Sequence, residues 1–368
     1  VEGPVEKVDY PAARALVAAG VEVFPVKIRE QHVPVFRIYC DERFRLLWLL
    51  GTSSPQLSPQ EAEIQWKRDA DGTSFWDKRA DHDYSAGSES IKLFAYHLIE
   101  WRALDSLRVG LAELAVMGGA SPGLNFILPG LVWHNTYAAG YSNVTMAAIA
   151  SWVPFAGFLV SAQFLMDDIT SPDESAAADK PGAYAWHASA SWSPRIDGDK
   201  LLVLAFEYNH ADRWTYVRLQ PYLSMYQRNI LPGGFRGIDT PLGSPYGPDS
   251  DQLGLSARYR AGRGLTLSAS VEYVRKGPIR MGMIEESGGE FFPVYFDLDS
   301  YIPDRLGEIL SRPDEHRFIT DLSVDAAISQ SLFARLRLSW GLYRNYGNQA
   351  AVNEYLVLVY AGVGWVLE

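Results

Sequence analysis

Asp167 and Asp168, followed by Asp173 and Glu174, form a group of carboxylates that could gather a hard cation through oxygen ligands. Their spacing fits no cation-binding loop, and an acidic, solvated strand end explains them as well. The seven histidines (His32, His82, His97, His134, His187, His210 and His316) are scattered, with no metal-ligand spacing between any two. The chain contains no nucleophile elbow, phosphate-binding glycine loop, zinc-protease helix or dinucleotide fingerprint. A barrel lipase would need Ser and His near one rim, and no pattern marks such a pair. The expectation is a protein without catalytic residues, cofactor or metal.

Two other groups of residues have chemistry to offer. Trp133, His134, Asn135, Tyr137, Tyr222, Tyr226, Arg228, Arg236 and Tyr246 lie in stretches rich in Gly, Pro, Asp and Ser. Sugars present apolar C–H faces and hydroxyls, so aromatic rings beside Asn and Arg donors suit a glycan. A loop packed on itself would use the same residues. The second group is Glu100, Arg102, Glu207, Arg258, Arg260, Glu272, Asp321, Asp325, Arg335 and Arg337. Several of these are two or four apart, which places them on one face of a strand. Their mixed signs point to internal salt bridges and a filled interior, whereas a ring of one sign would point to an ion-selective pore.

The elements that would carry these residues are amphipathic strands. From Leu253 the odd positions Leu253, Leu255, Ala257 and Tyr259 oppose Gly254, Ser256, Arg258 and Arg260. Beyond a turn at 261–264, Leu265, Leu267, Ala269, Val271 and Tyr273 oppose Thr266, Ser268, Ser270 and Glu272. The same period of two runs through 184–192, 317–328, 332–342 and 355–365. Aromatics close the apolar face at its ends, as Tyr355 and Trp365 do. About ten tilted residues cover the roughly 25 Å apolar band of an outer-membrane barrel, whose rims carry aromatic girdles. A soluble β-sandwich also alternates and is the competing architecture. The uncharged stretch Val144–Met166 is long enough for a membrane helix, but Pro154, Gly157 and the period of two argue for a hairpin. One strand breaks the rule: Leu107, Val109 and Leu111 share a face with Glu113, and a bulge near Gly110 is expected to restore the register.

Short turns are expected at 103–106, 154–156, 194–199, 261–263 and 329–330, and long connections at 118–142, 169–182, 220–249 and 277–315. This asymmetry is that of outer-membrane barrels, with short periplasmic turns and long outer loops. If 200–219 is one long strand, all short turns fall on one side. Counting back through 91–103 and weaker strands near 62–69, 33–50 and 21–29 gives about fourteen strands (a range of 12–18) with both termini periplasmic. Residues 1–20 are expected to be a periplasmic segment with a short helix at 12–20, and 21–368 a single antiparallel up-and-down transmembrane barrel. Twenty Tyr and 11 Trp suit membrane interfaces. A net charge of −11 argues against nucleic acid as a partner. The lone Cys40 excludes an internal disulfide. The chain starts at Val1 without a signal peptide and reads as processed or trimmed.

Several segments resemble the capsule-assembly Wzi family of outer-membrane proteins. These are His97 to Gly119, Trp152 to Ile169, Glu207-Tyr208 with Trp214 to Tyr216, and Pro241 to Leu253, together covering about 91–276. Where the family's Gly-Gly pair is followed by Arg, this chain has Ala120, and Leu128-Pro129 stands in place of an Asn-Pro pair. The resemblance implies a non-enzymatic barrel, partnered by outer-membrane lipid, that binds extracellular polysaccharide and helps hold capsule at the cell surface. A porin or substrate-specific channel is the alternative, and a barrel subunit of a larger envelope complex the next.

Overall fold

The computed structural model describes residues 21–28, 31–39, 43–53, 92–118, 142–168, 183–194, 196, 198–216, 223, 225–230, 237–262, 264–279, 310–329 and 331–365. The expected N-terminal helix at 12–20 and strand at 62–69 lie outside these residues.

The strands run β1 (Val21–Ile28), β2 (Gln31–Tyr39), β3 (Phe44–Ser53), β4 (Lys92–Leu104), β5 (Leu107–Gly118), β6 (Ser142–Phe155), β7 (Phe158–Asp168), β8 (Ala183–Trp192) and β9 (Leu201–Ala211). After a short pair, β10 (Tyr226–Ile230) and β11 (Gly237–Pro241), come β12 (Ser250–Ala261), β13 (Leu265–Lys276), β14 (Glu315–Ala327), β15 (Leu332–Arg344) and β16 (Asn353–Trp365). Fourteen of them form one sheet in chain order, while β10 and β11 form a hairpin of their own. Every ladder is antiparallel, giving the up-and-down meander from which barrels are rolled. Among the described residues, the outer edges of β1 and β16 carry no further ladder.

The apolar stretch 144–166 is a hairpin, β6–β7. Gly157 holds φ at 84° in its turn, and a Cβ there would strike the Ser193 carbonyl. The expected 33–50 strand is two strands, β2 and β3, with the Arg43 carbonyl between them accepting from the Arg102 N–H at 2.7 Å. The expected 200–219 strand stops at Ala211. Asp212 ends it: its carboxylate accepts from the Tyr184 N–H at 3.1 Å, and its carbonyl accepts from Thr215 and Asp249. Among the described residues the large sheet has fourteen strands.

No bulge relieves Glu113. The β4–β5 register runs unbroken through Gly110 and shifts only between Arg102 and Leu104. A Cβ on Gly110 would meet the Ile99 carbonyl oxygen at 2.8 Å, so glycine there permits close approach of the strands. Glu113 stays on the outward face beside its ladder partner His97, at 3.6 Å, with both side chains buried.

Outward residues form a broad apolar band, including Ile99, Leu111, Leu255, Val271, Leu322 and Leu336. At the short-turn rim it ends in Phe44 stacked on Trp101, Phe155 stacked on Phe158, and Trp152, Trp192 and Trp365. At the opposite rim lie Phe164 stacked on Tyr184, Trp186 on His210, and Tyr273 beside Phe318. Rings with one dry and one wet edge belong at two such levels of a membrane-spanning wall.

Candidate functional site in the barrel lumen

The inward face is identified by what packs on it. The described residues of the connection between β9 and β12 turn back and lie against the inward side chains of β3 to β9. Tyr216 starts the descent with φ at 70°, and its N–H donates to the Asp167 carboxylate at 2.5 Å. Its ring lies over Gly243, where a Cβ would collide with it, and its hydroxyl accepts from the Ser244 N–H at 3.1 Å. Burial and the nearby Asp167 carboxylate push the Tyr216 phenol up to about 12. Asp167, read above as part of an acidic strand end, is thus an anchor for this insertion.

The insertion carries its own apolar side. Met225 and Tyr216, with Leu242 beside them, pack among Phe94, Leu98, Val116, Ala147, Leu165 and Ala185. Polar wall residues complete the seat. Asn143 donates to the Leu223 carbonyl at 3.0 Å, Ser53 Oγ accepts from the Arg228 N–H at 2.7 Å, and Lys92 Nζ sits 3.8 Å from the centre of the Tyr226 ring. The register pairs Tyr226 with Pro241 and Arg228 with Asp239. Tyr226 and Arg228, read from the sequence as exposed loop residues, are therefore buried in the lumen hairpin. Tyr246 also points inward, donating to Glu272 at 2.7 Å, and burial followed by that carboxylate raises its phenol. Trp133, His134, Asn135, Tyr137, Tyr222 and Arg236 lie outside the described residues.

All ten charged residues expected inside the barrel fall on the inward face, but they do not form one network. Glu100 is paired with Arg45 at 2.8 Å, a residue the alternation argument passed over, and Arg102 with Asp105 at 3.0 Å. Glu207 accepts from Asn209, and Glu272 from Tyr246 and Gln252. Arg337 binds Asp321 at 2.7 Å, and Arg335 pairs with Asp325. Arg258 and Arg260 make no hydrogen bond or ion pair among the described residues.

The two sides of the lumen thus differ. Between the insertion and β3–β9 remains a pocket of about 550 Å³ lined by Phe94, Tyr96, Gln163, His187, Asn209 and Gln227. Towards the short-turn rim, β12 to β16 surround a recess of about 860 Å³ lined by Ser256, Ser268, Ser270, Ser323, Ser339, Arg258, Arg335 and Arg337. Among the described residues no group of His, Cys, Asp and Glu could hold a metal ion, and no helix is long and apolar enough to cross a membrane. The second statement leaves crossing by strands untouched.

No protein-family profile matches the chain, and no curated protein matches it by sequence. Solved structures do. Wzi of Escherichia coli, an outer-membrane protein involved in group 1 capsule assembly and described as a carbohydrate-binding β-barrel, aligns over 90% of this chain at 12% identity with a TM-score of 0.51. This chain spans 60% of the Wzi chain. The outer-membrane channel DcaP of Acinetobacter baumannii aligns over 93% of this chain and 83% of its own, at 10% identity and a TM-score of 0.38. OprD of Pseudomonas aeruginosa aligns over 92% and 72%, at 10% identity and a TM-score of 0.37. With the antiparallel meander, the outward apolar band and its two aromatic rims, the likeness to Wzi establishes the fold: the chain is an outer-membrane-type, up-and-down β-barrel.

Proposed function

We propose that this protein is a non-enzymatic outer-membrane barrel that binds extracellular polysaccharide through its long connections. The observation that carries this reading is that the described residues of the insertion 212–249 are folded inward, with Tyr216, Met225 and Leu242 seated on a buried apolar cluster. A wall face covered in this way favours a binding platform over an open conduit. The Wzi-like segments and the fold they share with a carbohydrate-binding barrel support it. Trp133, His134, Asn135, Tyr137, Tyr222 and Arg236 are the proposed contacts, since stacking rings and amide or guanidinium donors suit sugar rings. The test is binding of purified barrel to the polysaccharide of the producing strain, together with surface retention of that polysaccharide in a deletion strain. Binding and lost retention are expected. No binding with unchanged retention overturns the reading.

A channel is the second reading, favoured by the polar recess of about 860 Å³ beside β12–β16. Steady conductance in planar bilayers without polysaccharide binding would establish it in place of the first.

A further inference from the structure

The polar recess has a charge pattern that neither wall stability nor the proposed surface binding requires. Two inward rows cross β12 to β15 in register. One reads Arg258, Ser268, Ser323, Arg337, and the other Arg260, Thr266, Asp325, Arg335. Four strands at about 4.8 Å spacing set the arginines of each row roughly 14 Å apart, with hydroxyls or a carboxylate between them. The acids are already engaged: Asp321 by Arg337 and Asp325 by Arg335. Arg258 and Arg260 have no partner among the described residues, and both are exposed to the lumen.

Side chains two apart on one strand face share a side at about 7 Å, so these two guanidiniums repel. A wall under selection for stability alone gains nothing from that. The recess is therefore cationic, Arg258, Arg335 and Arg337 against Asp321 and Asp325, with Arg260 next to Arg258 on the same strand face, within a chain of net charge −11. Its volume of about 860 Å³ lies within the usual range for small-ligand sites. Guanidiniums bind carboxylate and phosphate through paired N–H donors, and a floor of serines offers hydroxyl partners to a polyol.

We infer that the short-turn half of the lumen, between β12 and β15, is a binding site for an oxyanion-bearing hydrophilic solute, a carboxylated or phosphorylated sugar. Arg258 lines the site and Arg260 adjoins it on the same strand face, and neither has a partner among the described residues. This site is separate from the long connections and stands whether or not those bind polysaccharide.

The test is calorimetric titration of the purified, folded barrel in detergent with three ligands: trigalacturonate, glucose 6-phosphate and neutral maltotriose. Binding of either anion with at least tenfold preference over maltotriose is expected, and the anion that binds names the oxyanion. The double variant R258Q/R260Q should lose at least tenfold in affinity while keeping the heat-modifiable gel mobility of a folded barrel, because neither arginine holds a hydrogen bond or ion pair among the described residues. Arg258→Lys serves as a second variant that keeps charge but loses the fork, and should fall between the two. Equal binding of anions and maltotriose, or unchanged anion binding in folded R258Q/R260Q, overturns the assignment.

Discussion

On β4 the side chains turned inward include Phe94, Tyr96 and Leu98, while on β13 they include Thr266, Ser268 and Ser270. Both strands alternate, both carry outward apolar residues, and both belong to one ladder system. They differ in what their inward face demands. An apolar face left in lumen water loses about 25 cal/mol for every Å² that could be covered, so the β3–β9 side recruits Tyr216, Met225 and Leu242 from the chain itself. A serine and arginine face is stable in water, and β12–β15 stands open with its recess. In a barrel the outward face answers to lipid all round, whereas the inward face is free to differ from one sector to the next. Function can be divided along that seam.

The comparison is broken most sharply by placing a charge in the covered sector. Met225 is fully buried among apolar side chains. Met225→Asp should cost the seated insertion about 4 kcal/mol or more, since an unpaired charge there has no partner. The expected outcome is a barrel that keeps its folded gel mobility while 212–249 becomes cleavable by added protease and current rises in planar bilayers. Ser268→Asp, in the open sector between two arginines, should change neither readout. Unseating by both variants, or by neither, would erase the distinction between the two sides.

Alkali tests the same seat less severely. The Tyr216 phenol is held at about 12 by burial, and Tyr246 is raised as well. A raised phenol stabilises the seated state fully below its unfolded value near 10, and that stabilisation disappears as pH rises through the folded value. For Tyr216 the difference corresponds to about 2–3 kcal/mol. Near-ultraviolet phenolate absorbance should therefore show a late-titrating tyrosine, with protease sensitivity of the insertion rising above pH 10. Tyr216→Phe should remove one late-titrating tyrosine and leave that of Tyr246, with protease sensitivity of the insertion losing its rise above pH 10; an unchanged rise in the variant would shift the effect to Tyr246.

Much of the wall was legible in the sequence because its two faces differ. Leu253 to Tyr273 reads as a hairpin from alternation alone, and the register confirms it residue by residue. Legibility fails where both faces are apolar. Along β4, inward Phe94 and Leu98 sit next to outward Ile99 and Trp101, so nothing in the pattern announces that the inward set needs a cover. The cover is correspondingly obscure. Leu223 and Met225 are two apolar residues in a polar stretch, and the neighbouring Tyr226 and Arg228 look like exposed loop chemistry until Lys92 and Ser53 are placed beside them. The end of β9 was hidden because Trp214 and Tyr216 continue the even-numbered apolar rhythm of Leu204, Phe206 and Tyr208, while the stop lies in the hydrogen bonds of Asp212. Glu113 invited a bulge because its ladder partner His97 belongs to another strand, and single-strand alternation does not reveal such pairs. The cationic recess was half visible: its arginines were read correctly as inward, but which of them have acid partners depends on the register between β14 and β15.

A smaller change isolates one bond of the seat. The Tyr216 hydroxyl accepts from Ser244 at 3.1 Å while its ring packs on Gly243. Tyr216→Phe keeps the ring and removes the acceptor, leaving the half-buried Ser244 N–H without it, which should cost about 1 kcal/mol. Denaturant-dependent protease protection of 212–249 should shift accordingly at neutral pH, with the barrel's own unfolding unchanged. A shift in barrel unfolding would show that the insertion and the wall are one cooperative unit.

The least disruptive probe belongs to the open sector. Arg337 and Asp321 form an ion pair whose side chains are 58% and 29% exposed, so lumen water already solvates much of both. Pairs of this kind contribute less than about 1 kcal/mol. Arg337→Gln should accordingly leave thermal unfolding of the barrel almost unmoved. The variant nevertheless separates two accounts of the open sector. If its charges are there to brace β14 against β15, removing Arg337 should lower barrel stability and R258Q/R260Q should not. If they are there for a ligand, both variants should weaken anion binding while both barrels unfold as the parent does. The second pattern is expected, because Asp321 retains the Ser339 hydroxyl as a donor when Arg337 is gone.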